Sequence, residues 1–236
     1  MKQENYIRGM IMIILSAFFF ACMNVSVRLA GDLPSVQKSF FRNLVAAFFA
    51  AIILIKNHTA PKVEKTQWGS LFLRCAFGTL GILCNFYAID HLLVADASIL
   101  NKLSPFFAII FSFLLLKEKI KPAQAMCVIL AFVGCLFVVK PGFENAHLIP
   151  ALIGVCGGLG AGIAYTMVRK MGTHGVKGPV IVFYFSCFSC IIVIPWIVFH
   201  YQPMSLRQLL TLLLAGLFAA GGQFTITAAY TLSLIH

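Results

Sequence analysis

The sequence predicts an all-α polytopic membrane protein: eight transmembrane helices, drawn from a ten-helix plan of two five-helix units in inverted topology. Three observations lead there. Hydrophobic residues fill 61% of the 236 positions and charged residues 11%, with a mean hydropathy of +0.95, far from the balance of a soluble domain. Apolar runs of about 20 residues recur along the chain, each long enough at ~1.5 Å per residue to cross a ~30 Å hydrocarbon layer. Residue identities also recur at a single offset of 141 positions.

The first run, 7–27, is too long for the core of a signal peptide and reads as a retained span. Helical spacing aligns Ala17, Ala21, Asn24 and Arg28 opposite the bulk of Phe18, Phe19 and Phe20, and a stripe of small and polar residues marks a helix contact or a cavity wall. After a turn at 31–34, span two (36–55) holds Lys38, Arg42 and Asn43. Arg42 lies about one turn deeper than Lys38, so its guanidinium can snorkel to the surface or serve a site; both readings stand. A polar, basic loop broken at Pro61 leads to Trp68 at an interface position and then to span three (69–89). There Arg74, Gly78, Gly81 and Asn85 share a face. Arg74 is near enough to the inner end to reach headgroups, and Asn85 is deep enough to need a partner.

Span four (97–116) organises the rest. It carries Asn101, Lys102, Ser104 and Pro105 within an apolar run and ends on Lys117, Glu118, Lys119 and Lys121, which stop it in the headgroups. A lysine inside a span must meet water, backbone carbonyls or an anion, so this segment predicts a polar interior. Span five (123–139) is closed by Lys140, Pro141 and Gly142. Span six (148–168) places Gly154, Gly158 and Gly162 at four-residue intervals, followed on the same side by Tyr165 and Arg169. Packing explains such a ladder, either within one chain or between two copies in a homodimer. Span seven (180–199) is expected to bend at Pro195, and span eight (209–229) aligns Gly216, Ala220, Gln223 and Thr227 on one face.

The 18 basic residues fix an orientation. With the N-terminus in the cytoplasm, eleven fall in inner segments and four (Arg28, Lys38, Lys140 and Arg207) in outer ones, while Arg42, Arg74 and Lys102 fall inside spans. This predicts a multi-pass protein of the plasma membrane with a cytoplasmic N-terminus. It also assigns the +11 charge to the lipid bilayer as partner rather than to nucleic acid. No carboxylate lies at mid-membrane depth, so an acidic proton relay is not encoded.

The offset of 141 brings Val27, Arg28 and Gly31 onto Val168, Arg169 and Gly172, Gly81 onto Gly222, and Ala88 onto Ala229. Five spans per unit is an odd number, so the second copy enters the membrane from the opposite side, as in many secondary transporters. The units are 1–145, with five helices, and 146–236, with three.

The segment AxxxNKLSPFF at 97–107, followed by LKEKI at 116–120, FYAI at 86–89 and GxxxxxxAYTL at 222–232, resembles the drug/metabolite transporter superfamily, EamA type. That resemblance implies a ten-helix bundle of two inverted halves that moves small metabolites, often exporting amino acids, nucleobases or toxic compounds. It makes Pro105 the span-four proline and Glu118 the inner-end glutamate. The family usually continues past the position of Ser233 into a ninth and a tenth helix. The expectation is therefore a C-terminally shortened transporter, with an inactive remnant of one as the alternative.

The expected site is a central cavity lined by Asn24, Arg42, Asn85, Asn101, Lys102, Tyr165 and Gln223, where Lys102 and Arg42 attract a carboxylate or phosphate of a small solute. The competing reading has Lys102 snorkelling outward while the amides only join helices. A membrane enzyme would show paired carboxylates, a histidine cluster or a Ser/His pairing within spans. The histidines are scattered through loops and span ends, and Cys187 and Cys190 read as small apolar side chains, so no enzyme, cofactor or metal is expected.

Overall fold

A computed structural model describes residues 2–117, 120, 122–139 and 148–231. Glu118 lies outside the described residues, as do Lys140, Pro141 and Gly142. The described helices are α1 (Lys2–Leu29), α2 (Ser35–Lys56), α3 (Trp68–His91), α4 (Val94–Asn101), α5 (Ser104–Leu116), α6 (Pro122–Val139), α7 (Leu148–Thr173), α8 (Gly178–His200) and α9 (Leu206–Thr231). A single 3-10 turn, Lys65–Gln67, precedes α3, and no strand occurs among the described residues. Seven described segments are long and apolar enough to cross a membrane, α4 and α5 counting together as one, and α6 supplies a shorter apolar stretch. The chain is an all-α polytopic membrane protein.

Span four is not one continuous helix. It divides at Lys102 and Leu103 into α4 and α5, because Pro105 has no N–H with which to bond the carbonyl of Asn101. Leu103 N–H turns instead to Leu100 O at 3.2 Å, a tighter i−3 bond, and α5 restarts with the N–H groups of Phe106 and Phe107 both on Leu103 O. Pro195, by contrast, does not interrupt α8.

The principal packing partners are α3 with α7, α1 with α9, α2 with α8 and α9, and α5 with α7. Exchanging α1 with α7, α2 with α8 and α3 with α9 carries the first three pairings onto themselves. The correspondence reaches single residues. A Cβ on Gly81 of α3 would lie 3.1 Å from the backbone nitrogen of Ala161 on α7, and one on Gly222 of α9 would lie 2.9 Å from the ring of Phe20 on α1. At the sequence offset of 141, Gly81 matches Gly222 and Phe20 matches Ala161.

The glycine ladder of α7 receives the broken span. Cβ atoms on Gly154, Gly158 and Gly162 would come within 3.0 Å of Leu100 Cδ1, 2.8 Å of Leu100 O and 3.0 Å of Ser104 O. Gly216 of α9 likewise faces Val45 of α2, at 2.7 Å from its Cβ. These faces are filled within one chain, so they are not the surface of a homodimer.

Two clusters of contacts mark the ends of the bundle. At one end the Tyr184 hydroxyl donates to Pro61 O at 2.8 Å and Lys177 Nζ donates to Thr59 Oγ1 at 3.3 Å, joining the loops around residues 60 and 175. At the other, Gln37 and Gln202 exchange bonds of 2.9 and 3.0 Å, and Gln208 Nε2 donates to Ala30 O at 3.1 Å. Lys38 and Asp90, expected in outer segments, meet as an ion pair of 2.5 Å with Lys38 only 1% exposed. Ser35 Oγ donates to the second Asp90 oxygen at 2.8 Å. Arg28 Nη1 completes the cluster, donating to the carbonyls of Ile89 and Asp90 at 2.7 and 2.8 Å, where the last turn of α3 leaves acceptors free and partial negative charge.

Candidate functional site

A cavity of about 440 Å³ lies between α1, α3, the α4–α5 turn, α7 and α9, with Arg42 of α2 and Phe185 of α8 reaching it. All seven residues expected at a central cavity line it: Asn24, Arg42, Asn85, Asn101, Lys102, Tyr165 and Gln223. Pro105 lines it as well. Asn24 Nδ2 donates to Ser98 Oγ at 3.0 Å, tying α1 to α4, and Gln223 Nε2 donates to Thr227 Oγ1 at 3.3 Å along α9. Asn101 is the last residue of α4 and Lys102, an exposed residue, is its C-cap, its backbone N–H donating to Ser98 O at 3.1 Å. Tyr165 stacks on Tyr230 with centroids 4.9 Å apart and planes inclined by 11°.

Arg42 does not snorkel. It is 2% exposed, donates from Nη1 to Asn43 Oδ1 at 2.5 Å and lies 5.9 Å from the centroid of Phe185. Arg74, expected in the headgroups, is also 2% exposed and sits over the same ring at 3.9 Å. The cause is Gly78, one turn further along α3. A Cβ there would overlap the Arg74 guanidinium and come within 2.8 Å of Phe185 Cε2, so only glycine lets the arginine fold along the helix onto the ring. Sequence reasoning missed Arg74, Phe185 and Tyr230 as lining residues. Arg74 and Gly78 at i and i+4 carried a signal of such a fold-back, whereas nothing local in the sequence links Phe185 to residue 74.

The site is electropositive. Arg42, Arg74 and Lys102 line the cavity, the Tyr165 hydroxyl is close enough to interact electrostatically with both arginines, and no Asp or Glu is among the lining residues. Four buried polar atoms have no hydrogen-bond partner there: Arg42 Nε, Arg74 Nε, Asn24 Oδ1 and Asn85 Oδ1. Unpaired buried cations cost free energy until an anion or ordered water meets them. The arrangement can bind and orient a solute of opposite charge. Among the described residues no group of three or more His, Cys, Asp or Glu side chains is placed to hold a metal.

Comparison with known proteins supplies the family. Residues 7–140 match the EamA-like transporter family. The pseudopaline exporter CntI of Pseudomonas aeruginosa is 32% identical over 94% of this chain and 78% of that protein. The human protein named solute carrier family 35 member G1 is 27% identical over 94% of this chain and 64% of its own length. A riboflavin transporter of Brucella anthropi is 25% identical over 91% of this chain and 78% of that protein. One crystal structure superposes with a TM-score of 0.71 at 13% identity, over 94% of this chain and 79% of that one, a likeness of fold alone. The chain belongs to the EamA-like transporter family: it is a multi-pass membrane transporter of small molecules and not an enzyme.

Proposed function

We propose that this protein is a secondary transporter of the plasma membrane that exports small anionic metabolites by alternating access of two inverted units, 1–145 and 146–236, around the central cavity. The observation that carries this reading is the set of three cations facing one cavity with no lining carboxylate. Arg42 and Lys102 attract a carboxylate or phosphate of the solute. Asn24, Asn85, Asn101 and Gln223 orient its polar edges, and Tyr165 forms an aromatic wall. Export is favoured by the similarity to a protein named as an exporter. The two-unit arrangement is favoured by the exchange that maps α3–α7 onto α1–α9.

The test is transport into everted membrane vesicles of radiolabelled succinate, glutamate and sugar phosphates against neutral sugars. Uptake is expected for at least one anion and none of the neutral solutes. Arg42→Gln and Lys102→Ala are each expected to lower it at least tenfold at equal membrane abundance, and unchanged uptake in both variants removes the cation role. Orientation has its own check. Cysteines placed by Thr59→Cys and Val176→Cys are expected to react with an impermeant maleimide only from the cytoplasmic side. Labelling from opposite sides overturns the mirrored arrangement.

A further inference from the structure

We infer that Asn43, which lies behind the cavity wall, is a positioning residue for anion binding: its amide holds the Arg42 guanidinium in that wall without neutralising it. The inference rests on the anion transport proposed above and deepens it by assigning what keeps the binding charge available.

The amide is pinned at both ends. Asn43 Nδ2 donates to Ser39 O at 3.0 Å and to Ser39 Oγ at 3.3 Å, one turn earlier on α2, and Asn43 Oδ1 accepts from Arg42 Nη1 at 2.5 Å. A backbone carbonyl can only accept and a guanidinium can only donate, so these two partners fix which end of the amide faces the arginine. Asn43 and Ser39 are each 0% exposed and neither lines the cavity, whereas Arg42 does. The contact occupies one nitrogen of the guanidinium and leaves Nε without a partner. The ring of Phe185 supports Arg42 and Arg74 from another side, at 5.9 and 3.9 Å from its centroid, and it too brings no countercharge.

Charge, and not shape, distinguishes this arrangement from an ordinary buried ion pair. An aspartate has the outline of an asparagine and would meet Arg42 through a charge-assisted bond, about twice as strong as a neutral one. It would also cancel the charge. Neither Arg42 nor Arg74 makes an ion pair among the described residues, and both are 2% exposed, so water does little to compensate them. Lys102, an exposed residue, has that recourse. An amide at position 43 therefore leaves a buried cation to be answered by a carboxylate or phosphate of the solute, which a guanidinium meets with paired N–H donors.

The test uses the purified full chain in detergent and isothermal titration with succinate, glutamate, glucose 6-phosphate and inorganic phosphate, beside the melting temperatures of the same samples. Asn43→Asp is expected to weaken the tightest of these about tenfold or more, yet to melt above Asn43→Ala, because its carboxylate pairs with Arg42 and satisfies it. Asn43→Ala strands an N–H of Arg42 but keeps the charge, and is expected to weaken binding by only about threefold. Stability and affinity then rank the two variants in opposite orders, which a merely structural role for Asn43 does not produce. The same order in both readouts, or Asn43→Asp binding as tightly as the unaltered chain, overturns the inference and leaves anion transport standing. Failure of the unaltered chain to bind any of these anions overturns anion transport itself.

Discussion

Asp90→Ala is expected to lower the melting temperature of the detergent-solubilised protein by roughly 6–12 °C, from a loss on the order of 3 kcal/mol at ~2–4 °C per kcal/mol. The size follows from burial. Lys38 is 1% exposed and its ammonium meets Asp90 at 2.5 Å, so removing the carboxylate leaves a cation with little access to water. Asp90 itself is 20% exposed, and water entering from that side holds the loss to the low end of what breaking a buried pair costs. Lys38→Met with Asp90→Ala is expected to recover most of the stability, because the double variant buries no unpaired charge. Differential scanning fluorimetry of the two single variants and the double one measures the coupling. A double variant as unstable as Asp90→Ala alone would locate the cost in the lost carboxylate contacts to Ser35 rather than in the stranded ammonium.

Gly162→Leu is expected to be more damaging still. The first added carbon would overlap Phe107 and come within 3.0 Å of Ser104 O and 3.1 Å of Ala108 N, and backbone cannot rotate aside as a side chain does. Either α5 leaves α7 or the leucine is forced off its rotamers, at a cost above the ~1–3 kcal/mol usual for overpacking. Loss of monodisperse protein on size exclusion is the expected readout. Gly134→Ala on α6 is the matched control: no atom outside its own helix lies within 4 Å of the new carbon, and alanine's helix propensity is expected to make it neutral or stabilising by up to ~1 kcal/mol.

The sequence carried depth and face well, and neighbours poorly. Asn24, Asn85 and Gln223 were legible because an amide within an apolar run must face a helix or a cavity, and helical spacing selects the stripe. Lys102 was legible because an ammonium at that depth needs an answering group. Arg74 was misread because depth alone allows a snorkel. The choice between headgroup and cavity is made by Phe185, 111 residues away, and by the room at Gly78. The break in span four had a visible cause in Pro105, yet a proline near the start of a helix is often absorbed, so its presence alone does not fix where the chain turns. The glycines of α7 announced close packing without naming the partner. Only the assembled bundle shows that they accommodate the broken span rather than a second molecule.

The pairing of α1 with α9 bears on how the protein is made. The first helix leaves the ribosome complete at Leu29, and the helix that covers it begins at Leu206. At ~5–20 residues per second, α1 waits on the order of ten seconds or more in the lipid before its neighbour emerges. Throughout that interval Ser16, Asn24 and Ser26 lack their final surroundings. Ser16 and Ser26 bridge the delay within their own helix, their hydroxyls donating to the carbonyls of Ile13 and Cys22 at 3.0 and 2.9 Å. Asn24 has no such bond within its own helix, and its amide finds a partner only once Ser98 is synthesised, so the polar side chain that ties α1 to α4 is the one that must wait for a later helix.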